Sequence, residues 1–136
     1  MTDYGFLIEE ARKAREYSYS PYSHFAVGAA LLTEGGKKYT GCNVENSSYG
    51  VSNCAERTAL FKAVSEGEKE FSAIAIAGAR VLSDGSKKEV FCPPCGVCRQ
   101  ALSEFCKEDL SVIIGKEDGT YMVTALKELL PLKFGL

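Results

Sequence analysis

The sequence has no strong excess of charge of either sign, no basic run, no apolar stretch of membrane-spanning length and no Pro- or Ser-rich tract. Each absence excludes something. With 136 residues and a formal net charge of -2, the chain offers no broad electrostatic footprint for a polynucleotide. Without a run of about 20 apolar residues it has no candidate transmembrane helix, so no membrane partner is expected. Without low-complexity segments it does not read as disordered. The opening Met1-Thr2-Asp3-Tyr4-Gly5 lacks the basic and then apolar pattern of a secretory signal. A cytoplasmic location is expected. There is also no internal repeat and no linker, so residues 1–136 are expected to form one domain, with 46% hydrophobic residues to fill its core.

What the chain does have is six cysteines. In a reducing compartment these read as metal ligands, catalytic thiols or buried thiols before they read as disulfides. Two groups stand out: Cys54-Ala55-Glu56, and Pro94-Cys95-Gly96-Val97-Cys98. Three thiolates can hold a zinc ion and leave its fourth tetrahedral position open to water. A carboxylate at Glu56, near the metal and not bound to it, could take and return a proton. By itself Cys95–Cys98 also suits a redox pair or a structural zinc knuckle, and Cys92, three residues before Cys95, is a candidate fourth sulfur. Cys42, Cys92 and Cys106 are nonetheless expected to be buried or incidental thiols, Cys92 standing beside the site.

The hydrophobic pattern predicts an α/β protein. An amphipathic helix is expected over 4–18 and ends before Ser20-Pro21-Tyr22-Ser23. Phe25–Thr33 and Lys38–Val44 read as a hairpin turned at Gly35-Gly36, followed by a polar loop over 46–53. A second helix is predicted over 54–65, capped by Asn53 or Ser52 and ended by Gly67. Phe71–Ala79 is apolar without alternation, as in a strand buried on both faces, and that burial calls for helices on both sides of the sheet. Residues 80–89 read as an exposed turn or small hairpin. A third helix follows over 95–106, then a hairpin around Asp118-Gly119, then a short helix over 125–130 capped by Thr124 and stopped by Pro131. The expected architecture is three-layered, α/β/α, with a mixed sheet of five strands.

This arrangement puts Cys54 and Cys95 at helix starts, where unpaired N–H groups favour a thiolate. Cys98 lies one turn on and can face the same ion. Three thiolates leave net negative charge on the site, which Arg57 or Arg99 could offset. Asn43 and Glu45, two apart near a strand end, are expected to leave on the same face.

Cys54-Ala55-Glu56 with Pro94-Cys95-x-x-Cys98 matches the zinc deaminase signature in its three-cysteine form. Over nearly its whole length the chain closely resembles the homotetrameric cytidine deaminases that act on the free nucleoside. The matching blocks are Phe25-Ala26-Val27-Gly28-Ala29-Ala30, Gly41-Cys42-Asn43-Val44-Glu45-Asn46, Cys54-Ala55-Glu56-Arg57-Thr58-Ala59, Pro94-Cys95-Gly96-Val97-Cys98-Arg99-Gln100 and Glu128-Leu129-Leu130-Pro131.

The resemblance implies one Zn²⁺ per subunit held by Cys54, Cys95 and Cys98, with Glu56 as the proton shuttle. It implies that Phe25 packs on the base and that the Ala55 N–H holds its carbonyl. The Pro93 carbonyl would touch the leaving amino group, where the family usually has Ser or Thr. Asn43 and Glu45 would grip the ribose, Arg57 would offset thiolate charge, and Phe134 would enter a neighbouring subunit's pocket. The implied reaction is hydrolysis of cytidine and 2'-deoxycytidine to the uridines and ammonia, in pyrimidine salvage. The alternatives are a blasticidin S-type deaminase, against which Glu45 argues, a polynucleotide deaminase, against which the closing hairpin argues, and a structural zinc protein.

Overall fold

The computed structural model describes residues 2–136. Helix α1 spans Gly5–Arg15 and buries Leu7, Ile8, Ala11, Ala14 and Arg15, the stripe that a 3.6-residue period marks. It stops short of residue 18 because the N–H groups of Glu16, Tyr17 and Ser18 bond three residues back, tightening the chain into a 3₁₀-type exit.

Strands β1 (Phe25–Thr33) and β2 (Lys38–Cys42) form the expected hairpin, with Gly36 at φ 91 in its turn. Then come α2 (Ala55–Ser65), β3 (Phe71–Val81), β4 (Lys87–Val90), α3 (Gly96–Ser103), β5 (Ser111–Gly115), β6 (Tyr121–Ala125) and α4 (Leu126–Leu129). Two of the expected caps are not used. Residue Cys54 itself occupies the position before α2, and Ala125 the position before α4, where Thr124 bonds Glu128 instead.

The strand order is β2-β1-β3-β5-β6, the five-stranded path that was expected. A sixth strand, β4, pairs with the far end of β3. It is the returning arm of the 80–89 segment, which folds as a hairpin with Leu82 bonded to Ser86. All pairings are antiparallel except β3 with β5, so the sheet is mixed.

Helices cover both faces, and the two faces differ in bulk. On β3, Ala73, Ala75 and Ala77 face α1, while Ile74 and Ile76 face the core shared with α2, α3 and α4. Two glycines let the helices close on the sheet. A Cβ on Gly28 would lie 1.9 Å from the Ala11 carbonyl oxygen of α1, and one on Gly41 would lie 2.5 Å from the Ala59 nitrogen and 2.7 Å from the Ala55 oxygen of α2. The Glu89 carboxylate of β4 accepts from Arg12 Nε and Arg15 Nη1, both at 2.9 Å, which fastens the hairpin to α1. No helix among the described residues is long and apolar enough to cross a membrane.

Because Gly41 seats the helix that begins at Cys54, Gly41→Ala is expected to cost about 2 kcal/mol of stability by overpacking. It should also weaken metal retention, as read by urea unfolding and by metal content after dialysis. Gly28→Ala, on the opposite face, should cost stability while moving the metal content less.

Candidate active site and metal centre

Helices α2 and α3 begin at the same place. Cys54 and Cys95 are the residues immediately before them, both in extended backbone, and Cys98 sits in the first turn of α3. Cys95 Sγ accepts a bond from the Cys98 N–H at 3.4 Å, so it caps its own helix. The three sulfurs lie within 4.8 Å of one another, and Cys54 and Cys95 are 3.7 Å apart. A tetrahedral ion with metal–sulfur bonds of about 2.3 Å holds its sulfurs about 3.8 Å apart, so the Cys54–Cys95 pair already stands at the spacing zinc requires. Cys92 is not part of this group. The four-sulfur cage that its spacing allowed is not formed.

The charge on the cluster is distributed unevenly. The Cys54 thiol is pulled down to about 5, chiefly by its hydrogen bond with Cys98, with burial opposing and Arg57 adding to the effect. The Cys98 thiol is pushed up, because it holds the proton shared with Cys54 and because it is buried. Arg57 Nη2 donates to Cys54 Sγ at 3.4 Å. Of the two arginines considered, only Arg57 faces the sulfurs. Arg99 donates to the carbonyls of Pro94 and Leu129, at 2.7 and 2.8 Å, and so pins the cysteine loop to the end of α4.

Glu56 lies in the first turn of α2 and is 4% exposed. Burial pushes its carboxyl up to about 7; the negative charge on Cys54 adds to this, while its own backbone N–H acts against it. A group poised between its two protonation states near neutral pH is suited to passing protons.

Beside the cluster is a cavity of ≈ 330 Å³ whose lining includes Phe25, Val27, Asn43, Glu45, Ala55, Glu56, Cys92 and Pro93 together with Cys54 and Cys95. That volume lies at the small end of the range for small-molecule sites. The structure thus brings together Cys54, Cys95, Cys98, Glu56, Arg57, Phe25, Asn43, Glu45, Ala55 and Pro93. Phe134 is not among the lining residues: it is 70% exposed, and only its carbonyl is engaged, by Gln100. A larger hollow of ≈ 730 Å³ between α3 and α4, bordered by Lys107, Lys127 and Lys133, contains none of the sulfur cluster.

Asn43 and Glu45 lie just beyond β2, outside the ladder. Asn43 Oδ1 accepts from Ser18 Oγ and from the Val27 N–H, and Nδ2 donates to the Phe25 carbonyl. One Nδ2 hydrogen is left over from this set. The Glu45 carboxylate accepts from the N–H groups of Tyr22 and Ser23 and from Ser23 Oγ. Burial raises its pKa, but these bonds outweigh it and hold the group below the usual range. Ser18 and Ser23 were not singled out in the sequence. Their only signal is that Ser18, Ser20 and Ser23 fall close together before Phe25, and nothing local says which side chains they meet.

Titration of the metal-free, reduced protein with Co²⁺ is expected to give one equivalent with thiolate charge-transfer absorption, and Cys54→Ser, Cys95→Ser or Cys98→Ser should abolish it. Binding at pH 7 should release the proton that Cys98 holds, measurable with a pH indicator. As pH falls below about 5 the Cys54 thiolate is protonated, and metal occupancy should drop further.

The family model described as "Cytidine and deoxycytidylate deaminase zinc-binding region" matches residues 1–114. The chain is 50% identical over 129 residues to a cytidine deaminase of Halalkalibacterium halodurans, covering 95% of this chain and 92% of that protein. A crystal structure of cytidine deaminase from Burkholderia pseudomallei superposes with a TM-score of 0.84 at 48% identity, covering 98% of this chain and 100% of that one. A blasticidin-S deaminase of Bacillus cereus is more distant, at 33% identity over 129 residues, or 94% of this chain and 89% of that protein. With the family model spanning most of its length and three sulfurs gathered within 4.8 Å of one another, the chain belongs to the zinc-binding cytidine and deoxycytidylate deaminase family.

Proposed function

We propose that the protein hydrolyses cytidine and 2'-deoxycytidine to uridine and 2'-deoxyuridine plus ammonia, as one domain of residues 1–136 working in pyrimidine salvage in the cytoplasm. The observation that carries this reading is Glu56, buried at the cavity wall beside a sulfur triangle with no fourth cysteine sulfur among the described residues. A structural zinc site has no use for such a carboxylate.

In this reading Cys54, Cys95 and Cys98 hold the zinc, which supplies a Lewis acid that lowers the pKa of water at its open position. Arg57 offsets the thiolate charge that would otherwise work against that effect. The pyrimidine enters with its carbonyl at the Ala55 N–H, a free donor at the start of α2, and with N3 at Glu56. Glu56 takes a proton from the attacking water and delivers it to N3, making C4 electrophilic. The water oxygen adds to C4, and Glu56 then carries the proton of the resulting C4 hydroxyl to the amino group; the C4–N bond breaks and ammonia leaves past the Pro93 carbonyl. Phe25 packs on the ring. The remaining Nδ2 hydrogen of Asn43 and the prepared carboxylate of Glu45 meet the ribose hydroxyls.

The loss of cytidine ultraviolet absorbance with purified zinc-loaded protein tests the reading. Turnover of cytidine and deoxycytidine is expected, and turnover of blasticidin S alone would replace it with the antibiotic-deaminase alternative. Glu56→Gln should keep its zinc and lose about a thousandfold in kcat. Near-normal turnover in that variant would remove Glu56 from the proton path.

The exposed Phe134 fits a homotetramer in which each site takes an aromatic from a neighbour. Mixing Phe134→Ala with Glu56→Gln protein under conditions of subunit exchange should restore activity, because some sites then combine an intact Glu56 with an intact Phe134. No restoration, or a monomer on sizing, would mean that sites are not shared.

A further inference from the structure

Cys92 has no assigned task. Its sulfur stands outside the metal-holding group, yet its side chain lines the cavity. Its Sγ reaches the Pro93 carbonyl only at 4.0 Å, so it is not held there by a strong hydrogen bond. It is held by shape. A Cβ on Gly78 would lie 2.5 Å from Cys92 Cβ, 3.2 Å from Cys92 Sγ and 3.3 Å from Phe25 Cε1. The Gly78 backbone therefore stands directly behind both side chains. Gly78 is itself paired with Val27 on one side and Val90 on the other, so it cannot recede. Cys92 and Phe25 form a wall with a rigid strand at its back.

The orientation of the base decides what meets that wall; here the inference rests on the proposed reading above. Ala55 and Glu56 are adjacent at the start of α2 and take the O2 and N3 edge of the ring. The C5–C6 edge is on the opposite side of a six-membered ring. Asn43 and Glu45 belong to the sugar end, Cys95 to the metal, the Pro93 carbonyl to the amino group, and Phe25 to the ring face. Cys92 adjoins Pro93 in the chain and C5 adjoins C4, which bears the amino group, so Cys92 is the cavity side chain placed for the C5 position.

We propose that Cys92, backed by Gly78, is the specificity-determining residue that limits the size of the substituent a pyrimidine nucleoside can carry at C5. Hydrogen and fluorine fit against the thiol, and a methyl or ethyl group meets a surface that cannot yield. An added methyl in a well-packed pocket changes discrimination by about tenfold or more.

The test is kcat/KM for cytidine and its 5-fluoro, 5-methyl and 5-ethyl derivatives, with wild type, Cys92→Ala and Cys92→Val. Comparing the 5-methyl to cytidine ratio between proteins cancels the intrinsic electronic effect of the methyl group. Wild type is expected to fall steeply between fluoro and methyl. Cys92→Ala should raise the ratio about tenfold, and Cys92→Val should lower it. A ratio that does not move in Cys92→Ala overturns the proposal, as does a wild type that accepts methyl and ethyl within twofold of cytidine; the second result needs no variant to fold. Wild type that fails to deaminate cytidine at all sinks the functional reading and this inference with it, whereas cytidine turnover with an unmoved ratio sinks this inference alone.

Discussion

Three sulfurs held within 4.8 Å of one another concentrate negative charge when all three are thiolates, and the structure is arranged around making that tolerable. Two helix starts point their free N–H groups at the cluster, each contributing partial positive charge, and Arg57 adds a full one at 3.4 Å from Cys54. Neither helix reaches the cluster unaided. Gly41 lets α2 lie against β2 at backbone distance, and Arg99 straps the loop before α3 to α4. Burial holds the Glu56 carboxyl near 7, and the negative charge on Cys54 adds to it. The charge that the metal site needs thus also bears on the proton chemistry.

The opposite wall of the cavity has no regular strand, yet it is ordered like one. Val44 bridges both Tyr19 and Asn53. The bonds from Tyr19 to Asn43, from Glu45 to Tyr19, and both ways between Val44 and Asn53 run from 2.9 to 3.0 Å. Three loops are joined into an irregular ladder that carries Asn43 and Glu45. Asn43 spends most of its hydrogen-bonding capacity on holding this ladder together, and Glu45 is already held by three donors. Preorganisation of this kind avoids the entropy of ordering polar groups when a ligand arrives.

The sheet separates these tasks. Alanines on one face of β3 bring α1 close, while isoleucines on the other fill the core under α2 and α3. The extension of β3 carries Gly78, which backs the cavity wall, and β4, whose Glu89 is held by Arg12 and Arg15 of α1. The α1 layer contributes no residue to the cavity lining, but it anchors the strand that leads into the cysteine loop.

Local chemistry determined the element types. The helical period of residues 5–15, the apolar run over 25–33, Gly36, Gly67 and Asp118-Gly119 act over a few residues, so they are legible without tertiary knowledge. The spacing of Cys54, Glu56, Cys95 and Cys98 was legible for the same reason: a helix start orients its first turn wherever it is placed. Distance and direction in space were decided only by the fold. Spacing alone let Cys92 stand as a fourth sulfur and Arg99 as a charge partner, and packing turned one into a cavity wall and the other into a strap. Asn43 and Glu45 were marked as a pair, but their partners Ser18, Tyr22 and Ser23 lie some twenty residues earlier. A hydrogen bond across such a separation is set by where the sheet brings the loops, which no local pattern encodes.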